Sequence, residues 1–538
     1  MFIRKIYFLF FLSFASLSGT GQSFLWADDP GGIGNDVGAA VVTDADGNAF
    51  VTGYYSGQCD FQGTFFFSND GFQIFLAKYN PAGTLLWVKK AGGSLSDQGI
   101  DLKIGNDGMI YLTGLFRGTA TFESTTLTTN GNSDVFLAKY DPAGSLIWVK
   151  GFGGDGEDLP SRIEISNAGE ILVSGTFKDK FRFNGQDHIS LGYNDIFLSA
   201  WSPNGVPLWV QYYGGPNDEY VTGLLSRPGT GSLWMSGYFY YDTQIGGTSL
   251  HSAGSSDVFL AKLDSVGGTS WAIRSGGSLA EVASASAIGK GEETWLAGYF
   301  LGTAQFGTIA LTDTGYNDIF LAKFDAMGQC STAIKMGGKS LDFGTALTPG
   351  DSGDVFLSGS FEETAKFGPF VKTGIGKDIF ISSISTNGTV NWVLQAGGDN
   401  EDFSKGIYRV PGGDLLLTGY FYGFCWFGPF MAAADNSGIF LSRISTLPVG
   451  RDAYKPESGL RIYPQPCQNR LFLRSEKPGS AGVYTLVDVT GNQVMKGELE
   501  SGFEFKELDI SCLPGGVYLL IMNFEDQILQ TEKVLILH

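Results

Sequence analysis

The sequence predicts an all-β protein: a seven-bladed β-propeller closed by an N-terminal strand and followed by a small C-terminal β-sandwich of Ig-like type. Three observations predict this fold. One sequence word recurs seven times at a nearly constant spacing. The two ends of the repeat region hold complementary parts of a single copy. Beyond residue 446 the repeat stops, and alternating strand patterns of another kind follow.

The recurring word is clearest in Asp134-Val-Phe-Leu-Ala-Lys-Tyr140, which is followed by Trp148 and by Gly153-Gly154. Its central phenylalanine returns every 60 to 62 residues, at Phe75, Phe136, Phe197, Phe259, Phe320, Phe380 and Phe440. A period of this length marks a repeat architecture, in which one supersecondary unit buries its faces against its neighbours.

Four short apolar segments separated by turn residues make up each repeat, which predicts four strands per unit. In the copy at 94–154 these segments are Ile100 to Ile104, Met109 to Phe116, Val135 to Tyr140 and Leu146 to Val149. We interpret Thr119 to Asn130, between the second and third segments, as a longer polar connection. Seven repeats of four strands predict seven blades.

The two ends of the repeat region predict ring closure. Ser23-Phe-Leu-Trp26 with Gly31-Gly32 matches only the end of a repeat, and Ile439 to Ser445 supplies only the front of one. An N-terminal strand that completes the last unit leaves no free sheet edge between the first and last blades. The propeller is therefore assigned to residues 22–445.

Residues 1–21 have the pattern of a secretory signal peptide. Arg4 and Lys5 precede an apolar run from Ile6 to Phe14, and small residues follow it. That run is short for a membrane span and no later segment reaches the required length, so we expect no membrane span in the mature chain. The first cysteine, Cys59, lies far beyond the cleavage region, which disfavours a lipid anchor.

Composition and charge narrow the class of protein. A content of 43% hydrophobic and 14% aromatic residues excludes a disordered chain. The formal net charge of -20 disfavours nucleic acid as a partner, because phosphates are repelled, and suits an exposed protein that attracts cations. The five cysteines lack metal-site spacing. Cys467 and Cys512 share the C-terminal region, and whether they pair stays open.

The C-terminal region starts after a linker at 446–458, which is marked by Pro448, Gly450 and Pro456. Residues 459–538 then alternate strands and turns in a way that fits a small β-sandwich. Its characteristic words are Tyr463-Pro-Gln-Pro466, the Asp488-to-Gly491 turn, Leu508-Asp-Ile-Ser-Cys-Leu-Pro-Gly-Gly-Val-Tyr518 and a late Lys533.

These words resemble the type A C-terminal sorting domain of the type IX (Por) secretion system of Bacteroidetes, with Gln465 where asparagine is usual. The resemblance implies secretion or display at the outer cell surface through the type IX machinery. The Asp-Val-Phe-Leu-Ala-Lys-Tyr and Trp-Val-Lys words are similar to bacterial β-propeller repeats of the SBBP type, over about 23–445. That second resemblance implies the fold but no particular activity.

A carboxylate stands four residues beyond each Gly-Gly pair, just before the first strand of each unit. The seven are Asp36, Asp97, Asp158, Glu219, Glu281, Asp342 and Asp402. The favoured interpretation is a structural staple that accepts hydrogen bonds from turn N–H groups. The alternative is a ring that binds a cation such as calcium, the one cofactor considered. A second set (Asp134, Asp195, Asp257, Asp318 and Asp378) is interpreted as turn caps.

Aromatic residues that break the repeat are the candidates for a ligand site, because binding by a ring has to be asymmetric. They are Tyr212, Tyr213, Tyr238, Tyr240, Tyr241, Tyr420, Tyr422 and Trp426. Core filling and strand propensity are the alternative explanation. The recurring tryptophans, such as Trp148, are interpreted as packing between blades.

Catalysis finds little support in the residue types available. The histidines are His188, His251 and His538, which give poor support for a zinc site or a Ser-His-Asp triad. The leading hypothesis is thus a non-enzymatic secreted or surface binding module for a glycan or a protein. The alternatives are an extracellular polysaccharide hydrolase or lyase and a structural envelope component. The ligand, the binding face, cleavage of the sorting domain and the oligomeric state stay open.

Overall fold

The computed structural model describes residues 22–446 except positions 69 and 228, together with 460–463, 470–475, 482–488, 492–501, 505–524 and 527–536. The predicted signal peptide, residues 447–458 of the predicted linker and Cys467 lie outside these residues. The chain divides into two compact units, Gly21–Pro448 and a second unit that contains Val449–His538.

Every regular element in the described residues is a β-strand. The strands of the first half are β1 Ser23–Asp28, β2 Gly31–Gly32, β3 Val37–Thr43, β4 Ala49–Tyr55, β5 Gln58–Phe61, β6 Thr64–Phe67, β7 Gln73–Tyr79, β8 Leu85–Gly93, β9 Gln98–Ile104, β10 Ile110–Phe116, β11 Thr119–Phe122, β12 Thr125–Thr128, β13 Asp134–Tyr140, β14 Leu146–Gly154, β15 Asp158–Ile165, β16 Ile171–Phe183, β17 Gln186–Trp201, β18 Pro207–Tyr213 and β19 Glu219–Ser226.

The remaining strands of this unit are β20 Leu233–Ile245, β21 Thr248–Leu263, β22 Thr269–Gly277, β23 Glu281–Ile288, β24 Thr294–Phe300, β25 Thr303–Phe306, β26 Ile309–Thr312, β27 Asp318–Phe324, β28 Cys330–Gly338, β29 Phe343–Pro349, β30 Val355–Phe367, β31 Phe370–Ile384, β32 Val390–Gly398, β33 Asp402–Arg409, β34 Leu415–Phe427 and β35 Phe430–Ser445. The C-terminal strands are β36 Leu460–Tyr463, β37 Arg470–Ser475, β38 Gly482–Asp488, β39 Gln493–Leu499, β40 Phe505–Asp509, β41 Gly516–Phe524 and β42 Gln527–Ile536.

The repeat folds as an antiparallel meander of four strands. In the second repeat β9 pairs with β10, β10 with β13 and β13 with β14. Its middle strands are fully buried, because their Val, Leu, Ile and Phe side chains pack on both faces of the sheet. The same order returns in all seven repeats. The first strands of neighbouring repeats lie beside one another, and β3 contacts both β9 and β33.

The last repeat takes its fourth strand from the N-terminus. β1 pairs antiparallel with β35, from Ser23 opposite Ser445 to Asp28 opposite Leu441. Phe24 is buried there against Phe427, with ring centroids 5.6 Å apart. The predicted complementarity of the two chain ends is therefore present as strand pairing.

A chain that begins at Pro30 should unfold at a lower temperature than one that begins at Gln22. Removing β1 exposes the edge of β35 and the Phe24 contact, and deleting a buried phenylalanine alone costs about 3 kcal/mol or more. Differential scanning calorimetry measures the difference. Equal melting temperatures would mean that the N-terminal strand does not stabilise the last repeat.

One local expectation was wrong. The segment Thr119 to Asn130 is not simply a polar connection, because it contains the hairpin of β11 and β12. Side chains of β11 are alternately exposed and buried, as a half-buried strand requires. In other repeats the same segment prolongs the second and third strands, as in β16 and β17.

The described residues of the C-terminal unit form two antiparallel sheets, one of β36, β37 and β40 and one of β38, β39, β41 and β42. Buried side chains of both sheets, such as Leu473, Leu486 and Leu520, belong to one hydrophobic cluster.

Candidate functional site

The main candidate site is a set of aromatic side chains that we call the aromatic belt. Its members are Tyr54, Phe72, Tyr220, Tyr238, Tyr240, Tyr299, Phe343, Phe403, Tyr420 and Tyr422. Most lie at the start of a first strand or at the end of a second strand. These two positions are neighbours because the two strands run antiparallel: Tyr220 is opposite Tyr238, and Phe403 is opposite Tyr420.

Ring contacts join belt members within repeats and, in one case, between two repeats. Tyr220 stacks on Tyr238, and Phe403 on Tyr420, each with centroids 4.9 Å apart. Tyr299 meets Phe343 edge to face at 5.0 Å, and Tyr54 meets Phe72 at 4.9 Å. The Lys377 ammonium lies between the sixth and seventh repeats, 5.6 Å from the Phe343 ring and 4.8 Å from the Phe403 ring. The belt therefore runs from the fourth repeat through the seventh to the first.

The second and third repeats interrupt the belt. At the equivalent positions they carry Gln98 opposite Leu115 and Leu159 opposite Thr176. The belt is thus confined to some of the repeats, which is the asymmetry that recognition of one ligand needs.

The belt side chains are partly exposed, and Tyr422, the most exposed of them, is 38% exposed. Burial raises the pKa of the Tyr54, Tyr220 and Tyr299 hydroxyls and that of Tyr420 to about 12. These phenols consequently stay protonated at neutral pH and keep a hydrogen-bond donor beside each apolar ring.

Half of the predicted aromatic candidates belong to the belt, namely Tyr238, Tyr240, Tyr420 and Tyr422. The others lie elsewhere. Tyr212 stacks on His188 at 3.8 Å, and Tyr213 is buried and donates to the Gly267 carbonyl at 2.6 Å. Tyr241 and Trp426 are exposed on strands of the outer half of their repeats.

Sequence reasoning missed six members of the belt, of which Tyr220, Phe343 and Phe403 share one position in their repeats. Each stands directly after a staple carboxylate, where other copies have Val37, Gln98, Leu159 or Val282. A comparison of the seven copies at this one position would have found them.

A central cavity of about 740 Å³ lies among the seven first strands, which all contribute to its wall. Its lining includes Asp101, Arg162 and Lys405. Lys405 also reaches the belt, because its ammonium lies 5.8 Å from the Tyr420 ring centroid.

The seven staple carboxylates are completely buried. Each accepts a hydrogen bond from the N–H of the second glycine of its Gly-Gly pair, at 2.6 to 3.1 Å. Burial raises their pKa values, for example that of Asp97 to about 6, that of Asp36 to about 7 and that of Asp158 to about 8. These are the contacts of a structural staple.

Among the described residues, no three His, Cys, Asp or Glu side chains come close enough together to hold a metal ion. The structure therefore does not bring the seven carboxylates together. Four of the five aspartates proposed as turn caps accept the backbone N–H four residues earlier, as Asp195 does from Leu191 at 2.8 Å.

Tryptophans connect neighbouring repeats. The Trp148 indole donates to the Pro203 carbonyl at 3.3 Å, in a turn of the next repeat, and Trp26, Trp87 and Trp271 make the equivalent bond. Of the histidines, His188 packs on Tyr212 and His251 contacts Asp242 on the outer half of the repeats, whereas His538 lies outside the described residues.

The fold and the belt define an all-β repeat protein with one aromatic-rich surface. Comparison with known proteins indicates where the protein is located. Residues 461–537 match the family model of the secretion system C-terminal sorting domain. The protein is therefore exported through the type IX secretion system and is secreted or held at the cell surface. No membrane-spanning helix was found in the described part of the chain.

Two curated relatives match shorter segments. An uncharacterized WD repeat-containing protein of Acanthamoeba polyphaga mimivirus is 25% identical over 236 residues, which are 36% of this chain and 17% of the relative. Regulatory protein FlaEY of Caulobacter vibrioides is 26% identical over 196 residues, 34% of this chain and 20% of its own length. The chain thus spans a fifth or less of these relatives.

Several solved structures align with much of the chain. A fungal alcohol oxidase in complex with copper aligns with 96% of this chain and 99% of its own, at 10% identity and a TM-score of 0.39. A glucose dehydrogenase aligns with 64% of this chain and 96% of its own, at 11% identity and a TM-score of 0.33. At these scores the likeness carries no information about activity.

Proposed function

We propose that the mature protein is a non-enzymatic carbohydrate-binding module, exported through the type IX system to the surface or surroundings of a Bacteroidetes cell. In this proposal residues 22–445 form a closed seven-bladed propeller of SBBP type, and the C-terminal unit is a β-sandwich. Seven four-stranded repeats, the contact of β3 with β33 and the pairing of β1 with β35 support the ring.

The aromatic belt is the observation that supports carbohydrate as the ligand. Sugar rings present apolar C–H faces and hydroxyl edges, and the belt offers half-exposed rings with protonated phenols beside them. Its extension over several repeats gives room for more than one sugar residue.

The experiment immobilises the mature chain, residues 22–538, and passes a panel of polysaccharides and surface proteins over it while product size is measured. We expect retarded but intact polysaccharide. Replacing Tyr240 and Tyr422 by alanine should weaken retention about tenfold or more, as loss of an aromatic anchor does in other interfaces. Tyr316→Ala, a tyrosine that is 67% exposed outside the belt, is the matched control.

Other outcomes would replace the proposal. Shortened polysaccharide would establish an enzyme, and retention of surface proteins alone would establish a protein ligand. If nothing were retained, a structural role in the envelope would be favoured. Unchanged polysaccharide retention in the belt variants would show that the belt is not the binding surface.

A further inference from the structure

The central cavity carries an excess of positive charge although the whole chain has a formal charge of -20. Four of the charged residues in its lining are paired. Lys103 lies 3.1 Å from Glu164, and Arg409 makes two bonds of 2.5 Å to Asp351. The lining residues that make no ion pair among the described residues are one carboxylate, Asp101, and two cations, Arg162 and Lys405.

Arg162 lines the cavity and bonds carbonyl groups of two different repeats. Its guanidinium donates to the Ser161 carbonyl at 2.9 Å and to the Ser284 carbonyl at 3.1 Å. Ser284 belongs to the fifth repeat, so the side chain passes the first strand of the fourth repeat to reach it. A guanidinium has five N–H donors, and the remaining ones are available to a ligand.

Lys405 is a second cation without an ion pair among the described residues. Its side chain is accessible from the cavity, yet the surrounding walls remove enough water that burial, and then the nearby charge of Arg162, lower its pKa. Two like charges held in one cavity repel each other, and a bound anion would relieve that repulsion.

Asp101 is not the anion that relieves the repulsion between Arg162 and Lys405. Its carboxylate accepts the N–H groups of Leu102 at 2.9 Å and Ile163 at 3.1 Å, and burial raises its pKa more than the nearby charges of Arg162 and Lys103 lower it. In the described residues neither cation lies within ion-pair distance of it. The cavity lining includes small residues such as Ala39, Gly223 and Ala285, which leave space for a ligand group.

We infer that Arg162 and Lys405 form a binding site for the carboxylate or sulfate group of an acidic sugar whose ring lies on the aromatic belt. This inference rests on the proposed function and names the class of carbohydrate. Lys405 connects the two parts of the site, since it lines the cavity and also lies over the ring of Tyr420. The negative charge of the rest of the molecule repels polyanions, so an acidic glycan is retained only where this local positive site receives it.

Saturation-transfer NMR of the mature chain with D-glucuronate, glucose 6-sulfate and glucose tests the inference. The three probes share one sugar ring and differ in the acidic group. We expect one or both acids to bind at least tenfold more tightly than glucose, and the stronger of them identifies the anion. Lys405→Met and Arg162→Gln should each remove about tenfold of that preference, as expected for a lost charged hydrogen bond.

Lys150→Met removes one positive charge from an exposed position of β14 and should change nothing. Arg162→Gln also removes bonds to two carbonyl groups, so the melting temperature is measured beside it, and Lys405→Met tests the site without that complication. Equal or absent binding of the three sugars, or full acid preference in Lys405→Met, overturns the inference. The proposed function fails separately, if Tyr240→Ala and Tyr422→Ala leave polysaccharide retention unchanged.

Discussion

Replacement of Gly154 by alanine is expected to lower the free energy of unfolding by about 3 kcal/mol or more, or to prevent folding of the repeat region. A β-carbon at this position would lie 1.5 Å from the carbonyl oxygen of Lys180, which is a backbone atom of the next repeat. Gly153 and Gly154 pair there with Arg182 and Phe181. The alanine can be accommodated only if the two repeats move apart.

The same close approach occurs at the second glycine of each Gly-Gly pair that precedes a staple carboxylate. The added β-carbon would lie 1.5 to 2.4 Å from a carbonyl oxygen at Gly32, Gly93, Gly154, Gly215, Gly277, Gly338 and Gly398. The Gly-Gly word of the sequence is thus the place where one repeat crosses to its neighbour, and glycine is needed there because nothing larger fits.

Denaturant unfolding followed by tryptophan fluorescence measures the effect of Gly154→Ala. Gly247→Ala is the matched control, because its β-carbon would meet nothing within 4 Å and its backbone is not in the left-handed region. We expect the control to change stability by less than about 1 kcal/mol. Equal unfolding midpoints for the two variants would show that the crossing between repeats tolerates a methyl group.

The sequence was sufficient to predict features that depend on local spacing. The bond from the Gly154 N–H to Asp158 spans four residues, and the strand order within a repeat follows from alternating apolar segments and turns. The complementary chain ends predicted that β1 pairs with β35, because two half-copies of one repeat leave a single consistent register.

Features that depend on packing between residues far apart in the sequence could not be predicted from local spacing. The indole of Trp148 bonds a carbonyl 55 residues further on, in the next repeat. Tyr212 and Tyr238 look alike in sequence, yet one stacks on His188 and the other belongs to the belt. The positive charge of the cavity also could not be predicted from local sequence patterns. Arg162 and Lys405 are 243 positions apart in the sequence, and they line the same cavity only because the seven first strands surround it.

The second large effect concerns pH. The unfolding free energy of the protein is expected to fall as the pH rises from about 5 to 8, and Asp158→Asn should reduce that slope by about 1 kcal/mol per pH unit. Burial, helped by the charges of Asp134, Asp155 and Asp179, raises the pKa of Asp158 to about 8 although the Gly154 hydrogen bond lowers it. Glu219 and Asp402 have the same shift for the same reason, burial first.

The sign follows from proton binding. Between the ordinary aspartate pKa of 3.8 and about 8, folded Asp158 keeps a proton that the unfolded chain has released. Its contribution to stability is therefore complete below pH 3.8 and is lost as the pH rises through about 8. Asparagine imitates the protonated acid, since its amide oxygen can accept the Gly154 N–H and its amide nitrogen can donate to the Asp134 Oδ1 atom, which has no partner among the described residues.

Equilibrium unfolding at pH 5, 6, 7 and 8 compares the natural protein with Asp158→Asn. The variant should approach or exceed the natural protein in stability at pH 8, whereas Asp158→Ala should be less stable at every pH because it also loses the bond to Gly154. Asp46→Asn, which removes a carboxylate from an exposed turn, controls for the change in net charge. Parallel pH profiles for the natural protein and Asp158→Asn would mean that the buried carboxyl is ionised in the fold, and its desolvation would then need a counter-charge that Gly154 alone does not supply.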